Sequence, residues 1–531
     1  MQKANLWNEP RVVATFGQKG QSMSTYDYTE AQFNTLIGPH VDPTTLTEID
    51  NYLISKGFFP TAGDTIRVEG LNGYQPIDPT ANVLIEGDSP AAITTDANDA
   101  LIVVEPGGNL TVRGTQDVGI VIADGGPAKV TLLDSGNDIV WGATGDDTIT
   151  AGGGNDTIYA GNGNNVLIAG TGNSSIYGGT GNDVFVDVNG GSNHFFGGGG
   201  DDTMYGGSGN DTLEASGTGH NYLQAGSGNQ TLIAGNGGDT LYGGAGSDSL
   251  VGGAGNDQIV SLGSGNNTLI SGGGDDKLQA TGGNNSLQGG SGNSTLIAGT
   301  GNDTLTGGTG NEHFVSEQGG NTTMTGGGGN DTFEAYGTSN VSMTGGSGND
   351  TMYANGSGND TLIAGSGATL MYAGGSSGTD TFALNGNDTL FGGSGIDVIN
   401  ISGSGNQAHL DGASVAVATV TGSGANTVWA GSGSDTINGS ASTGSNLYIT
   451  GSGSASIAGG SGNDQFEITS LTNSTIDGGA GSNVAFMDGL NSTDVTINTT
   501  AGVTTVTSGG NTMTFTNVQD IIFNDTDYKP S

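Results

Sequence analysis

Residues 252–288 read GGAGNDQIVSLGSGNNTLISGGGDDKLQATGGNNSLQ, which is one nine-residue phrase written four times with small changes. Each copy begins with a glycine-rich half and ends in three residues whose middle one is aliphatic. Because Gly and Asn tolerate positive φ angles, the first half predicts a tight turn. The second half predicts a short strand whose middle side chain faces a narrow core. The sixth position holds Asp257, Asn267, Asp276 and Asn285 in turn.

The phrase recurs along most of the chain. It begins near residue 133, runs with occasional one-residue insertions to about residue 360, and continues more loosely to about residue 464. Two phrases form turn, strand, turn and strand, which closes one coil of about 18 residues. A single coil buries too little to be stable, so coils must stack. We therefore predict an all-β fold, a parallel β-roll or β-helix solenoid of 18-residue coils with a small helical N-terminal segment and a C-terminal β cap.

Three stretches match the pattern G-G-x-G-x-D-x-U-x at every position: GGSGNDTLE (206–214), GGAGNDQIV (252–260) and GGGGNDTFE (326–334). The chain therefore resembles the RTX family, whose hemolysin-type nonapeptide repeats form calcium-binding β-rolls. The resemblance implies several Ca²⁺ ions between stacked turns, held by turn carbonyls and sixth-position carboxylates. Such an all-oxygen ligand set suits Ca²⁺.

The resemblance assigns the metal to the sixth-position aspartates of the repeat region. These predicted calcium ligands are Asp138, Asp147, Asp156, Asp183, Asp202, Asp211, Asp239, Asp248, Asp257, Asp276, Asp303, Asp331, Asp350 and Asp360.

Consecutive phrases lie on opposite sides of a coil, so paired carboxylates must come from alternate sixth positions, about 18 residues apart. This spacing sorts the sixth positions into two flanks. The first flank comprises Asp138, Asp156, Ser174, Asn193, Asp211, Gln230, Asp248, Asn267, Asn285, Asp303, Asn321, Asn340 and Asp360. The second comprises Asp147, Asn165, Asp183, Asp202, Asn221, Asp239, Asp257, Asp276, Ser294, Glu312, Asp331 and Asp350.

The two flanks differ in their acid content. The second has Asp at eight of twelve positions, and the first at six of thirteen. Our hypothesis is that calcium lines mainly the second flank, while Asn on the first bonds the turn backbone or ligates weakly. Two other interpretations stay open. Asp and Asn could exchange freely as turn formers without metal, or the Asn-rich coils alone could be metal-free.

The charge of the chain points to cations as partners. The formal net charge is -43, from 52 acids and 9 bases, and Lys277 is the only Lys or Arg between Lys129 and Lys529. Phosphate contacts need Lys and Arg, so nucleic acid and anionic membrane surfaces are poor partners for this chain. No apolar run approaches the roughly 20 residues of a membrane span, so we do not expect an integral membrane protein. The N-terminus also lacks the apolar core of a secretory signal.

Composition divides the chain into five segments. We predict a small mixed docking or anchoring region at 1–80, solenoid coils without metal-type turns at 81–132, the RTX calcium-binding β-roll at 133–406, an irregular continuation at 407–483, and a C-terminal β cap with a type I secretion signal at 484–531. Within the first segment, helices are predicted over Thr29–Ile37 and from Asp42 to Gly57. Within the last, strands joined at Ala501-Gly502 and Gly509-Gly510 predict a small meander.

The sequence favours a protein without enzymatic activity. The metalloprotease motif H-E-x-x-H is absent, and its nearest text is NEHF at 311–314. GGSSG at 374–378 matches G-x-S-x-G but lacks the strand-to-helix context of a nucleophile elbow. The chain has no cysteine, which excludes thiol chemistry.

We therefore predict a secreted calcium-binding structural protein that self-assembles outside the cell as a surface-layer, extracellular matrix or filament subunit. The alternative is a soluble calcium-binding effector or adhesin that acts on a host or neighbouring cell surface. Residues 1–80 are expected to bind a cell-surface polysaccharide or lipopolysaccharide. The tail GGNTMTFTNVQDIIFNDTDYKPS at 509–531 resembles the uncleaved signal of type I secretion, which implies a bacterial protein located outside the cell or on its surface.

Overall fold

The computed structural model describes residues 26–41, 43–56, 65–71, 83–86, 91–95, 100–123, 125–317, 319–375 and 377–530. The chain forms two compact units, residues 1–258 and 259–531. Each unit contains two sheets, in which most strands pair in parallel with the next strand but one along the chain. The predicted all-β parallel solenoid is therefore confirmed. We call the two sheets of each unit the first and second sheets, and the turns that precede their strands the first and second flanks.

The first unit contains two helices and the first group of strands. The helices are α1, Glu30–Ile37, and α2, Pro43–Ser55, with a 3₁₀ turn at Gly38–His40 between them. The strands of the first sheet are Tyr26–Thr29, Thr65–Leu71, Val83–Glu86, Leu101–Val104, Gly119–Ile122, Ile139–Trp141, Thr157–Tyr159, Ser175–Thr180, His194–Gly199, Thr212–Glu214, Thr231–Ile233 and Ser249–Val251. Those of the second sheet are Ala91–Thr94, Asn109–Arg113, Lys129–Leu132, Thr148–Thr150, Val166–Ala169, Val184–Asp187, Thr203–Tyr205, Tyr222–Gln224 and Thr240–Tyr242.

The strand Gln258–Val260 begins at the last residue of the first unit. In the second unit the first sheet comprises Thr268–Ile270, Ser286–Gln288, Thr304–Thr306, Thr322–Thr325, Val341–Thr344, Thr361–Ile363, Thr379–Leu384, Ile396–Ile401, Val415–Gly422, Ser434–Ser442, Ser454–Ala458, Thr475–Asp477, Thr496–Thr500, Val503–Ser508 and Asn511–Thr516. The second sheet comprises Lys277–Gln279, Thr295–Ala298, His313–Ser316, Thr332–Ala335, Thr351–Ala354, Leu370–Tyr372, Thr389–Phe391, Gln407–His409, Thr427–Trp429, Leu447–Thr450, Gln465–Ile468, Val484–Met487, Asp520–Ile522 and Asp527–Tyr528. A 3₁₀ turn lies at Ser492–Asp494.

The core is a column of the middle side chains of the strands. Leu213, Leu232 and Leu250 lie opposite one another in successive strands of the first sheet, and each is fully buried. Burying such a side chain contributes about 1.5–3 kcal/mol. An isolated coil leaves its core side chains open on both sides, so the coils must stack to bury them. The residues on either side of each middle position point outward and are half-buried or exposed. This alternation follows from the two-residue period of a strand.

The helices predicted near the N-terminus are present in the first unit. The predicted cap Asp42 and stop Gly57 lie outside the described residues. Both helices pack on the outer face of the first sheet, in a cluster that includes Phe33, Leu53 and Trp141. The indole Nε1 of Trp141 donates a 3.0 Å hydrogen bond to Glu48, so the α2 helix is held on the early coils by polar as well as apolar contacts.

The C-terminal end of the second unit carries the expected meander. Thr496–Thr500, Val503–Ser508 and Asn511–Thr516 pair antiparallel, and the last of them lies parallel to Thr475–Asp477. Residues 407–421, which break the phrase, still contribute paired strands to both sheets. The strand pairing therefore continues through residues 407–421 and into the C-terminal meander, although the composition changes in both segments.

The glycines of the phrase are needed chiefly because the coils stack closely. At Gly209, an added Cβ would lie 1.4 Å from the carbonyl oxygen of Gly191, one coil earlier. The φ of Gly209 is not positive, although Gly163 and Gly181 do adopt positive φ. Among the described residues only Asn387, Ala501 and Asn517 are non-glycines with positive φ, so most Asn residues of the phrase do not make use of their tolerance for it.

This close stacking makes a direct prediction. Gly209→Ala should lower the free energy of unfolding in saturating calcium by about 3 kcal/mol, since the new methyl group cannot avoid a main-chain oxygen. Gly199→Ala is the matched control, because an added Cβ there meets nothing within 4 Å and its φ is not positive. Denaturant unfolding of both variants checks this. Equal losses of stability in the two would contradict the explanation.

Candidate metal centres

The sixth-position side chains form buried columns along both flanks of each unit. The main-chain N–H of one residue in a column donates to the side-chain oxygen of the next residue, one coil further along. This bond measures 2.9 Å between Asp138 and Asp156 and between Asp183 and Asp202. We call each such position a slot.

The predicted calcium ligands all lie in slots, and each is at most 3% exposed. They are Asp138, Asp147, Asp156, Asp183, Asp202, Asp211, Asp239, Asp248, Asp257, Asp276, Asp303, Asp331, Asp350 and Asp360. Their burial is observed, and ligation by each individual residue stays a prediction.

Slots one coil apart are neighbours, as the sequence predicts. Besides the two pairs above, Asp239 N–H donates to Asp257 at 2.7 Å, and Asp331 N–H donates to Asp350 at 3.0 Å. The expected pair of Asp257 and Asp276 has one member in each unit and stays a prediction.

Two slots were assigned wrongly from the sequence. Asn321 and Asn340 are exposed, and the slots are filled by Thr322 and Val341, both 2% exposed. The coils there are one residue longer, so Thr304 pairs with Thr323 and the register moves by one. Val341 still donates its N–H to Asp360, at 2.8 Å, but it has no side-chain oxygen to offer a metal.

The fifth position of the phrase has its own role. Asn155 N–H donates to the side-chain oxygen of Asn137, and Asn173 N–H to that of Asn155, at 2.9 and 2.8 Å. These exposed side chains accept the N–H of a residue one coil later in the chain. Slot side chains instead accept the N–H of a residue one coil earlier. Asn321 belongs to this outer column, since its N–H donates to Asn302 at 3.0 Å. Fifth-position Asn and Asp thus stabilise the stacked turns without any metal.

The side-chain amide of an Asn in a slot can donate a hydrogen bond to a carbonyl of its own turn. The Nδ2 of Asn165 donates to the carbonyl of Gly163 at 3.2 Å, and that of Asn221 donates to the carbonyl of Gly219 at 3.3 Å. Asn285 does the same on the first flank, with Gly282 at 3.0 Å. These Asn slots therefore need no cation, which supports the interpretation that such coils are structural. Asn193 differs from them, because its buried Nδ2 has no hydrogen-bond partner.

Aspartate in a slot lacks this donor. In some turns its Oδ2 accepts the N–H of the glycine four residues earlier, as Asp239 does from Gly235 at 3.0 Å. In others the buried Oδ2 has no hydrogen-bond partner. These are Asp138, Asp147, Asp183, Asp202, Asp211, Asp331, Asp360 and Asp380. They occur on both flanks, so the hypothesis that calcium lines mainly the second flank stays a prediction without support from this distribution.

Asp183 Oδ2, one of the unpartnered oxygens, lies close to a main-chain carbonyl. An added Cβ on Gly178 would lie 2.3 Å from Asp183 Oδ2 and 2.7 Å from the carbonyl oxygen of Gly197, one coil further along. A carboxylate and a carbonyl oxygen therefore converge where only glycine leaves space. A hard cation is the partner that satisfies both. The residues present therefore fit Ca²⁺.

Burial makes these carboxylates costly to ionise when no cation is bound. Burial raises the pKa of Asp147, Asp183 and Asp360 to about 6. Burial, followed by smaller effects that include the charge of Asp134, raises the pKa of Asp138 to about 8. A cation between the coils would reverse these shifts, because it stabilises the ionised form.

The described residues contain no group of three or more His, Cys, Asp or Glu side chains that could hold a metal ion. A bound Ca²⁺, which takes about six to eight oxygens, must therefore draw many of them from turn carbonyls and water. The glycine-rich turns supply such carbonyls, because they bring the main chains of adjacent coils into close approach.

The ligand set predicted from the sequence left out several buried acids of the repeat. Five further aspartates that it did not assign as ligands are at most 3% exposed: Asp380, Asp388, Asp397, Asp435 and Asp464. Glu312 also fills a slot, both of its carboxylate oxygens lack partners, and burial together with Asp331 raises its pKa to about 8. The spacing of the phrase is looser after residue 360, but each of these aspartates still directly precedes a strand or is its second residue.

Stacked parallel coils with buried carboxylates facing turn carbonyls define a calcium-binding β-roll. A family model described as the RTX calcium-binding nonapeptide repeat matches more than half of the chain, and the chain belongs to this family. The matched segments are 134–167, 159–186, 185–213, 224–259, 261–296, 279–313, 288–322, 318–341, 325–357, 344–382, 382–400, 420–442 and 440–467. The repeats bind calcium ions at multiple sites.

A search of curated proteins finds no relative of this chain. Within the part of the chain that the structure describes, no helix is long and apolar enough to cross a membrane.

Proposed function

We propose that the protein is a secreted, calcium-folded structural subunit that self-associates outside the cell, and that it has no catalytic role. The observation that carries this proposal is an aromatic stack on the second sheet of the second unit. It consists of one outward ring from each of five successive strands: Tyr353, Tyr372, Phe391, His409 and Trp429.

The stack forms an ordered apolar stripe. Ring centroids of successive residues are 5.2, 5.1, 4.7 and 3.9 Å apart, and adjacent planes differ by 10° or less. Phe391 is 37% exposed, and the other four rings are half-buried. A contiguous aromatic surface of this kind is typical of an interaction site. The rings recur once in each coil, so the same row of rings on a second copy of the chain could pack against them in register.

Charge explains why association should depend on calcium. A chain with a net charge of -43 repels its own copies. Many of the acids are slot carboxylates, which bound Ca²⁺ neutralises. Calcium therefore both completes the fold and lowers the repulsion between copies.

The ends of the coils are less suited to association. The first sheet of the first unit begins with Tyr26–Thr29 paired antiparallel to Thr65–Leu71. The first sheet of the second unit ends in the antiparallel meander. These antiparallel strands cover the parallel edges of the coils, which could otherwise pair with a strand of another chain. We therefore place the contact on the side of the sheet.

Export by a type I secretion channel is part of the same proposal. The carboxylates that calcium must neutralise would keep the chain unfolded at low cytosolic calcium, as transit through a channel requires. Millimolar calcium outside the cell would then fold it. The C-terminal tail supports this route.

Wild-type protein is expected to form filaments or sheets in millimolar calcium, and the double variant Tyr372→Ser/Phe391→Ser to stay monomeric with an unchanged circular dichroism spectrum. Light scattering after size exclusion, together with electron microscopy, measures this. Tyr205→Ser is the control, because Tyr205 is 38% exposed but its nearest ring partner, Tyr222, is tilted by 55°. A wild-type protein that stays monomeric in calcium would refute the proposal and favour the soluble effector.

The proposed partner of residues 1–80 is a cell-surface polysaccharide or lipopolysaccharide. In the described residues, α2 and the first sheet form an open groove of about 420 Å³. Its lining includes the aromatic rings of Tyr52, Trp141 and Tyr159 and the polar side chains of Asn51 and Thr157. Aromatic rings beside hydrogen-bonding groups suit a sugar, and this groove supports the proposed partner.

A further inference from the structure

Two aspartates outside the slots are buried on the first flank of the first unit. Asp134 is 7% exposed and Asp187 is 6% exposed. Asp134 stands where the phrase normally has its second glycine, four residues before the slot residue Asp138. Asp187 lies six residues before Asn193, a slot that has no carboxylate.

Both carboxylates occupy the same place in their coils. An added Cβ on Gly207 would lie 2.4 Å from Asp187 Oδ2, and one on Gly152 would lie 2.9 Å from Asp134 Oδ1. Each of these glycines stands four residues before the slot aspartate of the next coil. For Gly207 that aspartate is Asp211.

The turn beside Asp187 contains three buried oxygens without a hydrogen-bond partner. They are Asp187 Oδ2, Asp211 Oδ2 and Gln230 Oε1. The space at Gly206 adjoins two of them, since an added Cβ there would lie 2.0 Å from Gln230 Oε1 and 3.3 Å from Asp211 Oδ2. All three oxygens therefore border the backbone of Gly206 and Gly207.

The remaining polar atoms of these side chains are already engaged. Asp187 Oδ1 accepts the N–H groups of Asn189 and Gly190, both at 3.0 Å. Gln230 Nε2 donates to the carbonyl of Gly207 at 3.1 Å, which leaves Oε1 directed toward the turn. Buried acceptors without donors are costly, and two of these acceptors carry charge.

We propose that Asp187, Asp211 and the amide oxygen of Gln230 hold an additional Ca²⁺ ion on the first flank. Two carboxylates and a neutral oxygen, together with turn carbonyls, form a ligand set of the kind that Ca²⁺ prefers. Asp187 thus supplies the carboxylate that the slot residue Asn193 lacks. This site does not depend on self-association.

The same arrangement assigns a second ion to Asp134 and Asp138 at the start of the repeat array. Both carboxylate oxygens of Asp134 and the Oδ2 of Asp138 lack partners. The preceding slot is occupied by Val118, whose N–H donates to Asp138 Oδ1 and whose side chain has no oxygen. Each additional aspartate therefore stands beside a slot without a carboxylate.

Asp187→Asn tests the first of these sites in the full-length protein. Asn keeps an oxygen for the N–H groups of Asn189 and Gly190 but removes the charge. We expect native mass spectrometry to count one Ca²⁺ fewer per chain than in the wild type. Asp201→Asn is the matched control: Asp201 is exposed, and its oxygen accepts the His220 N–H at 2.7 Å, which Asn can also accept.

A second measurement separates ligation from structural support. The melting temperature rises with calcium concentration more steeply when more ions bind to the folded state. Loss of a ligand reduces this slope in Asp187→Asn, whereas loss of structural support lowers the melting temperature equally at all calcium concentrations. Gln230→Glu adds a charge at the site and should tighten binding of one ion. Unchanged stoichiometry and slope in Asp187→Asn, with no gain in Gln230→Glu, would overturn the proposal.

Discussion

Excess chelator at pH 7.5 is expected to abolish most of the β-sheet circular dichroism signal, and added calcium to restore it. Burial raises the pKa of Asp147, Asp183 and Asp360 from 3.8 to about 6. A shift of this size costs on the order of 3 kcal/mol for each ionised carboxylate. Folded domains are stable by only about 5–15 kcal/mol. A few uncompensated slots therefore suffice to unfold the chain, although their costs are not strictly additive.

The experiment compares the far-ultraviolet spectrum and amide hydrogen exchange in calcium, in magnesium and in chelator. Magnesium serves as a control, because its strict octahedral geometry and tightly held water suit these carbonyl-lined turns poorly. One molar sodium chloride is a second control, since salt screens exposed charges far better than buried ones. A chelated protein that keeps its β spectrum and its exchange protection would refute the coupling of folding to calcium.

Much of the fold could be predicted because the nine-residue period specifies turn and core together. The glycines mark where adjacent coils approach closely, and the aliphatic position marks the residue that faces inward. Leu269 and Leu287 illustrate this, since both are fully buried and lie opposite each other in neighbouring strands. The separation of paired slots by one full coil follows from the same period.

The rest depended on information that the period does not carry. One-residue insertions move the register, so only strand pairing shows that Thr322 and Val341 fill slots. Asp187 lies outside the phrase, and nothing in the sequence separates it from an ordinary turn residue. The place of α2 against the first sheet likewise depends on packing around Trp141, which local patterns do not encode.

The calcium-free protein is expected to refold as the pH falls from 8 to about 5. Burial raises the pKa of several slot carboxylates in the folded state, among them Asp147, Asp183 and Asp360, so their protonated forms favour folding. The contribution is complete below the unfolded pKa of about 4 and is lost as the pH rises through about 6 for Asp183 and about 7 for Asp397. His409 acts in the opposite direction, because burial lowers its pKa, but it is a single group.

Thermal unfolding of protein freed of calcium on a chelating resin measures this dependence. Calcium-loaded protein should show the opposite trend, since protons compete with Ca²⁺ for the same oxygens. The matched variant is Asp183→Asn, which places in this slot the residue that the neighbouring slot already has at Asn165, where Nδ2 bonds the turn carbonyl.

Asp183→Asn should raise the stability of the calcium-free protein at pH 8 by up to about 3 kcal/mol and leave it unchanged near pH 4. In saturating calcium it should instead lower stability, because a charged ligand is lost. This reversal distinguishes a metal ligand from a turn former, since an Asp that only shapes a turn would respond in the same direction with and without calcium. Calcium-free stability that rises with pH would show that the slot carboxylates are compensated by something other than a cation.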